Sequence, residues 1–318
     1  MSGAPRRRGL LLASGVLAAM LLVAVDVAPP AGAVTLRTVS GVVKDANGTP
    51  LAGVHVGILS IERPFAVTAS NGSYALTNVP QSRSAYDVQL LQPCSKDQRK
   101  SVLVNGDKTV DFTVPIGADT DSFGYTCKPT SAPFINLPPG TELTFADNDD
   151  GSTLVPLPFT FRYYGVDYSS INVGTNGLAS FTTSVTARSN TPIPDSDLPN
   201  STLYPFWDDL LVDNASGFSV RAQVQGTAPN RDFVIEWAAS FFGEPNSVVY
   251  TEIVLSESKR IRFLYANVGR SSTTEFRARG TSATVGIENG SGTDGFQRSF
   301  NQPYIDDSGA GIEFTAPK

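Results

Sequence analysis

From Thr38 onward nearly every apolar segment is short, alternates with polar residues, and stops at Gly, Asn, Asp or Pro. Val39, Gly41 and Val43 alternate with Ser40, Val42 and Lys44 before the run Asp45-Ala46-Asn47-Gly48-Thr49-Pro50. Val54, Val56 and Ile58 alternate around His55 and Gly57. This is the period-two pattern of strands bounded by turns. It predicts further strands at 65–68, 73–76, 86–91 and 110–114, and it makes His55 a strand surface residue, off the face of Val54 and Val56.

The pattern resumes from residue 136. Phe159, Phe161 and Tyr163 share one strand face, and Ile171-Asn172-Val173 leads into an Asn176-Gly177 hairpin turn, a pair that tolerates the positive φ such turns need. Strands are expected at 203–210, 218–224, 233–237, 250–255, 260–265, 283–288 and 311–314. Those at 250–255 and 260–265 form a hairpin across Ser256-Glu257-Ser258-Lys259. About nine to eleven strands without helical periodicity predict one large β-sandwich. The expected fold class is therefore all-β, with a small sandwich at 38–115, a linker at 116–135 and a larger antiparallel sandwich at 136–317.

The N-terminus breaks the pattern. Arg6-Arg7-Arg8, an apolar run at 10–25 and the small residues Ala31-Gly32-Ala33 read as a signal peptide covering residues 1–33. That run falls short of the roughly 20 residues a membrane span needs, so no transmembrane span is expected after cleavage. Without this leader the chain carries 21 basic and 29 acidic residues, a net charge of −8. Such a chain, lacking a Lys/Arg cluster, is a poor match to a phosphate backbone, and nucleic acid is not an expected partner. Export also places Cys94 and Cys127 in an oxidising compartment, where a disulfide is expected to staple the linker back onto the first domain. With one histidine and two cysteines in 318 residues, His/Cys metal chemistry is not expected.

Two resemblances follow from these motifs. Ser40-Gly41-Val42-Val43 with Asp45, Gly48, Pro50-Leu51 and Gly53-Val54, then Thr68, Gly72 and Tyr74-Ala75-Leu76, resemble the carboxypeptidase regulatory-like domain, a transthyretin-like sandwich. Ala69-Ser70 stands where that family carries Asp after the threonine. The resemblance implies a spacer, folding or binding module without catalysis. The order Phe-x-Phe-x-x-Tyr-Gly, Val-x-Thr-Asn-Gly, Pro-Phe-Trp-Asp-Asp-Leu, Phe-Val-Ile-Glu-Trp and Val-Gly-Ile-Glu-Asn resembles a nidogen-like sandwich of bacterial secreted and surface proteins. That likeness implies an extracellular adhesion or binding role.

The candidate chemistry is sparse. Asp147, Asp149 and Asp150 offer the clustered oxygens a calcium ion requires. Gly151 and Pro158 break the EF-hand spacing, however, so the expectation is a solvated acidic turn and no cofactor. Asp208 and Asp209 beside Trp207 are the favoured ligand-binding candidates, for a cation or a sugar. Successive strand residues diverge unless a turn brings them together. Tyr164 and Tyr168, out of phase with the Phe159-Phe161-Tyr163 face, are expected at the surface, where they could stack on sugars. A glycosidase would need two converging carboxylates. Glu236, Glu252, Glu288 and the Asp208-Asp209 pair are available, but Glu236, between Ile235 and Trp237, is expected to face solvent. No Gly-x-Ser-x-Gly motif is present. Five Asn-x-Ser/Thr sequons begin at Asn47, Asn71, Asn200, Asn214 and Asn289.

The expectation is thus a non-enzymatic adhesion or binding protein, secreted or held at the cell surface, whose partner is an extracellular protein or glycan. A carbohydrate-binding accessory of polysaccharide degradation is the alternative, and a glycoside hydrolase the second.

Overall fold

The computed structural model describes residues 34–58, 65–91, 94, 98–115, 120–266, 275–302, 305 and 311–318. The expected signal peptide lies outside these residues.

The first domain contains β1 (Leu36–Asp45), β2 (His55–Ile58), β3 (Phe65–Val67), β4 (Ser73–Pro80), β5 (Tyr86–Leu91), β6 (Gln98–Val102), β7 (Lys108–Thr109) and β8 (Phe112–Val114). One sheet runs β4-β1-β7 with β8 also on β1, and the other runs β3-β2-β5-β6. Val39, Val43, Val56, Ile58, Leu76, Val88 and Phe112 are buried together in a single core. Gly41 belongs to this face for a steric reason. A Cβ there would lie 1.9 Å from the Val110 carbonyl oxygen, which also accepts the Tyr74 hydroxyl at 2.5 Å. His55 is half-buried between buried Val54 and Val56, as the alternation predicts.

The second domain begins earlier than expected. β9 (Thr126–Thr130) lies inside the segment read as a linker, and it pairs antiparallel with β21 (Gly311–Thr315). Between them come β10 (Ser152–Tyr163), β11 (Val166–Gly174), β12 (Ala179–Ser180), β13 (Thr202–Trp207), β14 (Leu210–Leu211), β15 (Ser219–Gln225), β16 (Asp232–Phe241), β17 (Glu244–Ser256), β18 (Arg260–Ala266), β19 (Thr284–Glu288) and β20 (Gly295–Phe300). A single helical turn, α1 (Glu275–Ala278), precedes β19. Among the described residues no helix is long and apolar enough to cross a membrane.

A six-stranded sheet runs β10-β11-β12-β13-β19-β20, and a seven-stranded sheet runs β14-β16-β17-β18-β21-β9 with β15 also on β16. Between them lie Phe161, Tyr163, Ile171, Phe206, Ile235, Trp237, Ile253, Phe263, Ile287 and Phe314. Hydrophobic faces of antiparallel strands are packed here as the sequence pattern requires.

The outer faces of both sheets are covered in part. Residues 131–143 cross the outside of the seven-stranded sheet from its β9 edge to β15, where Leu143 N–H donates to Val220 O and Ala222 N–H to Thr141 O. Ala132, Phe134, Ile135 and Leu137 pack there on Val234, Val254 and Leu264. Residues 182–200 likewise cover Tyr204 and Trp207 on the outside of the six-stranded sheet, with Val185, Ala187 and Ile193 against them. This explains why every residue from Phe233 to Phe241 is buried: β16 is covered on both faces, so its near-continuous apolar run is not an alternating surface strand.

The disulfide Cys94–Cys127 is present. Cys127 sits in β9, so the bond ties the first domain to an edge strand of the second domain's sheet. Gln89 Nε2 adds a hydrogen bond of 3.0 Å to Gln302 Oε1 across the same junction.

Candidate functional site

Three loops meet at one corner of the second sandwich: residues 146–151 before β10, the β11–β12 turn, and the β13–β14 connection. The turn residues hold them together. Thr175 N–H donates to Gly151 O at 3.0 Å, and Gly151 N–H donates to Thr175 Oγ1 at 3.0 Å. The Thr175 hydroxyl in turn donates to Asp149 O. Asn176 Oδ1 accepts Leu210 N–H at 2.8 Å, Asn176 Nδ2 donates to Asp150 Oδ1 at 3.0 Å, and Asn176 O accepts Asp208 N–H at 3.3 Å. Gly177 has φ +70°, and a Cβ there would lie 2.0 Å from Phe206 O. Asn176-Gly177 is therefore a hairpin turn that also clamps two neighbouring loops.

This clamp brings Asp149, Asp150 and Asp209 together, with one oxygen from each inside a common 4.8 Å span. Asp149 Oδ1 and Asp209 Oδ1 are fully enclosed and accept no hydrogen bond. Arg188 approaches Asp150 at 3.6 Å. Burial, followed by the neighbouring carboxylates, raises the pKa of Asp149, and burial followed by Asp150 raises that of Asp209. Three converging carboxylates of this kind match the hard-oxygen donor set of a calcium ion, which fills its remaining positions from carbonyls and water.

The placement of the predicted site residues is mixed. Asp149 and Asp150 lie in the cluster, half-buried and not in a freely solvated turn. Asp147 stays outside it, accepting the Asp149 N–H at 2.9 Å. Asp208 and Asp209 diverge. Asp208 is 4% exposed and turns inward to the Ser282 hydroxyl at 2.5 Å and Arg277 Nη2 at 3.2 Å. Trp207 is 2% exposed beneath residues 182–200, donating its indole N–H to Ala187 O at 2.7 Å, so neither ring face is offered to a sugar. A register irregularity between Tyr204 and Trp207 turns both to this outer face.

The tyrosines expected at the surface are structural as well. Tyr164 is half-buried, with its hydroxyl 2.5 Å from Asp121 Oδ2 and its ring 4.8 Å from those of Tyr125 and Tyr163. Tyr168 is half-buried and stacks on Phe181 at 4.9 Å, and its hydroxyl lies 3.3 Å from Ser201 Oγ. Of the sequons, Asn200 is buried and cannot present an acceptor amide.

The carboxylates weighed for hydrolysis are covered. Glu236, expected to face solvent, is 3% exposed and accepts Leu137 N–H at 2.7 Å and Arg221 Nη1 at 3.2 Å. Glu252, opposite it on β17, is 0% exposed and takes Ile135 N–H at 3.1 Å on both oxygens. Glu288 is 1% exposed and accepts Asp195 N–H at 2.8 Å and the Tyr204 hydroxyl at 2.9 Å. Burial pushes the pKa of Glu252 and of Glu288 up to about 7.

The layered sheets define a two-domain all-β protein of the sandwich class. The chain belongs to the NIDO-related family, which matches residues 124–314, and residues 38–115 match the carboxypeptidase regulatory-like domain. No curated protein matches the chain. Among solved structures, a type II cohesin-X-dockerin complex from Acetivibrio cellulolyticus is similar at 26% identity over 24% of this chain and 52% of that one, with a TM-score of 0.21. The Bacillus anthracis TIE protein is similar at 10% identity over 84% of this chain and 49% of that one, with a TM-score of 0.22. The matched region thus spans about half the length of each of these structures, and TM-scores at this level do not establish a common overall fold.

Proposed function

We propose that the protein acts outside the cell by binding an extracellular protein or glycan, and not by catalysis. The observation that carries this reading is the covalent pairing of its two modules. A disulfide joins a carboxypeptidase regulatory-like domain to an edge strand of a NIDO-related domain, a device suited to oxidising compartments. Supporting it, Glu236, Glu252 and Glu288 accept backbone N–H groups from covering segments instead of facing a cleft. Purified protein is expected to give saturable binding on an array of extracellular proteins and glycans and no reducing-sugar release from polysaccharides. Sugar release that disappears in Asp208→Asn would overturn the reading in favour of a hydrolase.

A second reading concerns the acidic corner, where the enclosed, unpartnered oxygens of Asp149 and Asp209 favour a bound calcium ion that orders the three loops. Calcium is expected to raise the melting temperature of the wild type and not that of Asp209→Asn. Equal melting of the wild type in calcium and in chelator would dismiss it.

A further inference from the structure

We propose that residues 131–143 form a pH-controlled strap, held on the outer face of the seven-stranded sheet by the buried pair Glu236–Glu252 and lifted when both carboxylates are ionised.

The geometry starts from a backbone problem. The strap, with Pro133, Pro138 and Pro139, runs across a sheet face, where strand N–H and C=O groups are already paired to their neighbours. Its own buried N–H groups need acceptors from elsewhere, because an unpaired buried donor is costly. The acceptors rise from a single cross-strand row, Arg221, Glu236, Glu252 and Leu264. Glu252 takes Ile135 N–H and Glu236 takes Leu137 N–H. Beyond them Glu142 bridges to Arg221, closing the strap on the far edge.

The charges of this row do not balance. Arg221 is shared between Glu142 at 3.1 Å and Glu236 at 3.2 Å, and among the described residues no ion pair is made to Glu252, on whose charge Arg262 acts from the neighbouring strand. Arg262, two residues along β18 from Leu264, is held by Asp232 at 2.6 Å. Glu313 on β21 is met by Lys128 at 3.0 Å and Arg260 at 3.7 Å. Tyr250, on β17 itself, adds no positive charge. With Glu252 protonated, one of its oxygens still accepts the Ile135 N–H and the repulsion from Glu236 is gone. With both ionised, two negative charges lie in a dry layer beside two guanidinium groups, Arg221 and Arg262, each already engaged by a further carboxylate, Glu142 and Asp232, and hydrating Glu252 requires the strap to move. Burial, aided by the Glu236 charge and opposed by the strap's N–H groups and by Arg262, raises the Glu252 pKa on balance. The strap's ends stay tied through β9 and the 141–143 pairing with β15, so only its middle lifts, uncovering Val234, Val254 and Leu264.

Hydrogen exchange read at single amides tests this. The Ile135 and Leu137 protection factors, corrected for intrinsic exchange, are expected to fall about tenfold or more from about pH 5 to about pH 8, as expected for a proton-linked opening. The core amides of β16 and β17 should hold. In Glu252→Gln, which keeps an oxygen for Ile135 but cannot ionise, the two strap amides should lose that pH dependence. Constant protection in the wild type overturns the proposal, and so does an undiminished fall in the variant. Should the variant not fold, the Glu252 carboxyl 13C shift followed in the wild type decides. A titration midpoint coincident with loss of strap protection supports the latch, and a separate midpoint overturns it.

Discussion

Glu236 and Glu252 stand directly opposite each other on β16 and β17, and each accepts a backbone N–H from the same covering segment. Two adjacent buried carboxylates are poor for stability by themselves, because desolvation and mutual repulsion both oppose them. Their presence is explained by the strap, whose buried donors no sheet backbone can satisfy. Loss of Glu236 follows from this. Glu236→Ala should strand both the Leu137 N–H and one Arg221 contact, lowering unfolding free energy by about 3 kcal/mol. Urea denaturation of the two proteins measures it.

Glu252 and Glu288 set the pH profile. Both have folded-state pKa values raised to about 7, so between the unfolded carboxyl value and 7 the folded chain holds protons that the unfolded chain has released. Stability contributed by these groups is complete below about pH 4.5 and is lost as pH rises to about 7. The melting temperature should therefore be higher at about pH 5 than at about pH 8, and Glu252→Gln with Glu288→Gln should flatten the slope. A profile rising toward pH 8 would contradict the assignment.

Gly177 clamps the acidic corner. Its positive φ and the 2.0 Å approach to Phe206 O leave no room for a methyl group. Gly177→Ala should cost about 2 kcal/mol or more and separate Asp209 from Asp149 and Asp150. Any calcium-induced rise in melting temperature should vanish with it, which differential scanning calorimetry with and without calcium can record.

The disulfide crosses from the first domain into β9. Cys94→Ser removes a cross-link closing a loop of sequence separation 33, for which chain entropy gives about 4 kcal/mol. Calorimetry is expected to show one transition for the wild type and two for the variant, with the first domain melting earlier, and reductant should reproduce the split in the wild type.

Much of the architecture could be read from local pattern. The Val39-Gly41-Val43 alternation, the shared face of Phe161 and Tyr163 and the 256–259 hairpin all hold, because period-two burial and turn chemistry are properties of neighbouring residues. Strands β6, β9 and β20 have no clear local signal because they are short, polar edge strands: β6 and β20 pair only with the strand just before them, and β9 pairs with the distant β21. Glu236 had a usable signal: Phe233-Val234-Ile235 is apolar at consecutive positions, the mark of a strand covered on both faces. Trp207 had none, since its burial depends on residues 182–200 folding back over β13.

By itself the sequence determined an all-β chain of two sandwiches, their turn positions, and a cysteine pair poised to bond, because strand periodicity and turn preference act over a few residues. Only the tertiary structure decided which carboxylates meet. Asp209 joins Asp149 and Asp150 because Asn176, far from all three in sequence, accepts and donates the hydrogen bonds that hold their loops. Glu236 and Glu252 are buried because a segment between β9 and β10 crosses the sheet's outer face and needs acceptors there. Both outcomes rest on long-range hydrogen bonding and desolvation, which no local pattern encodes.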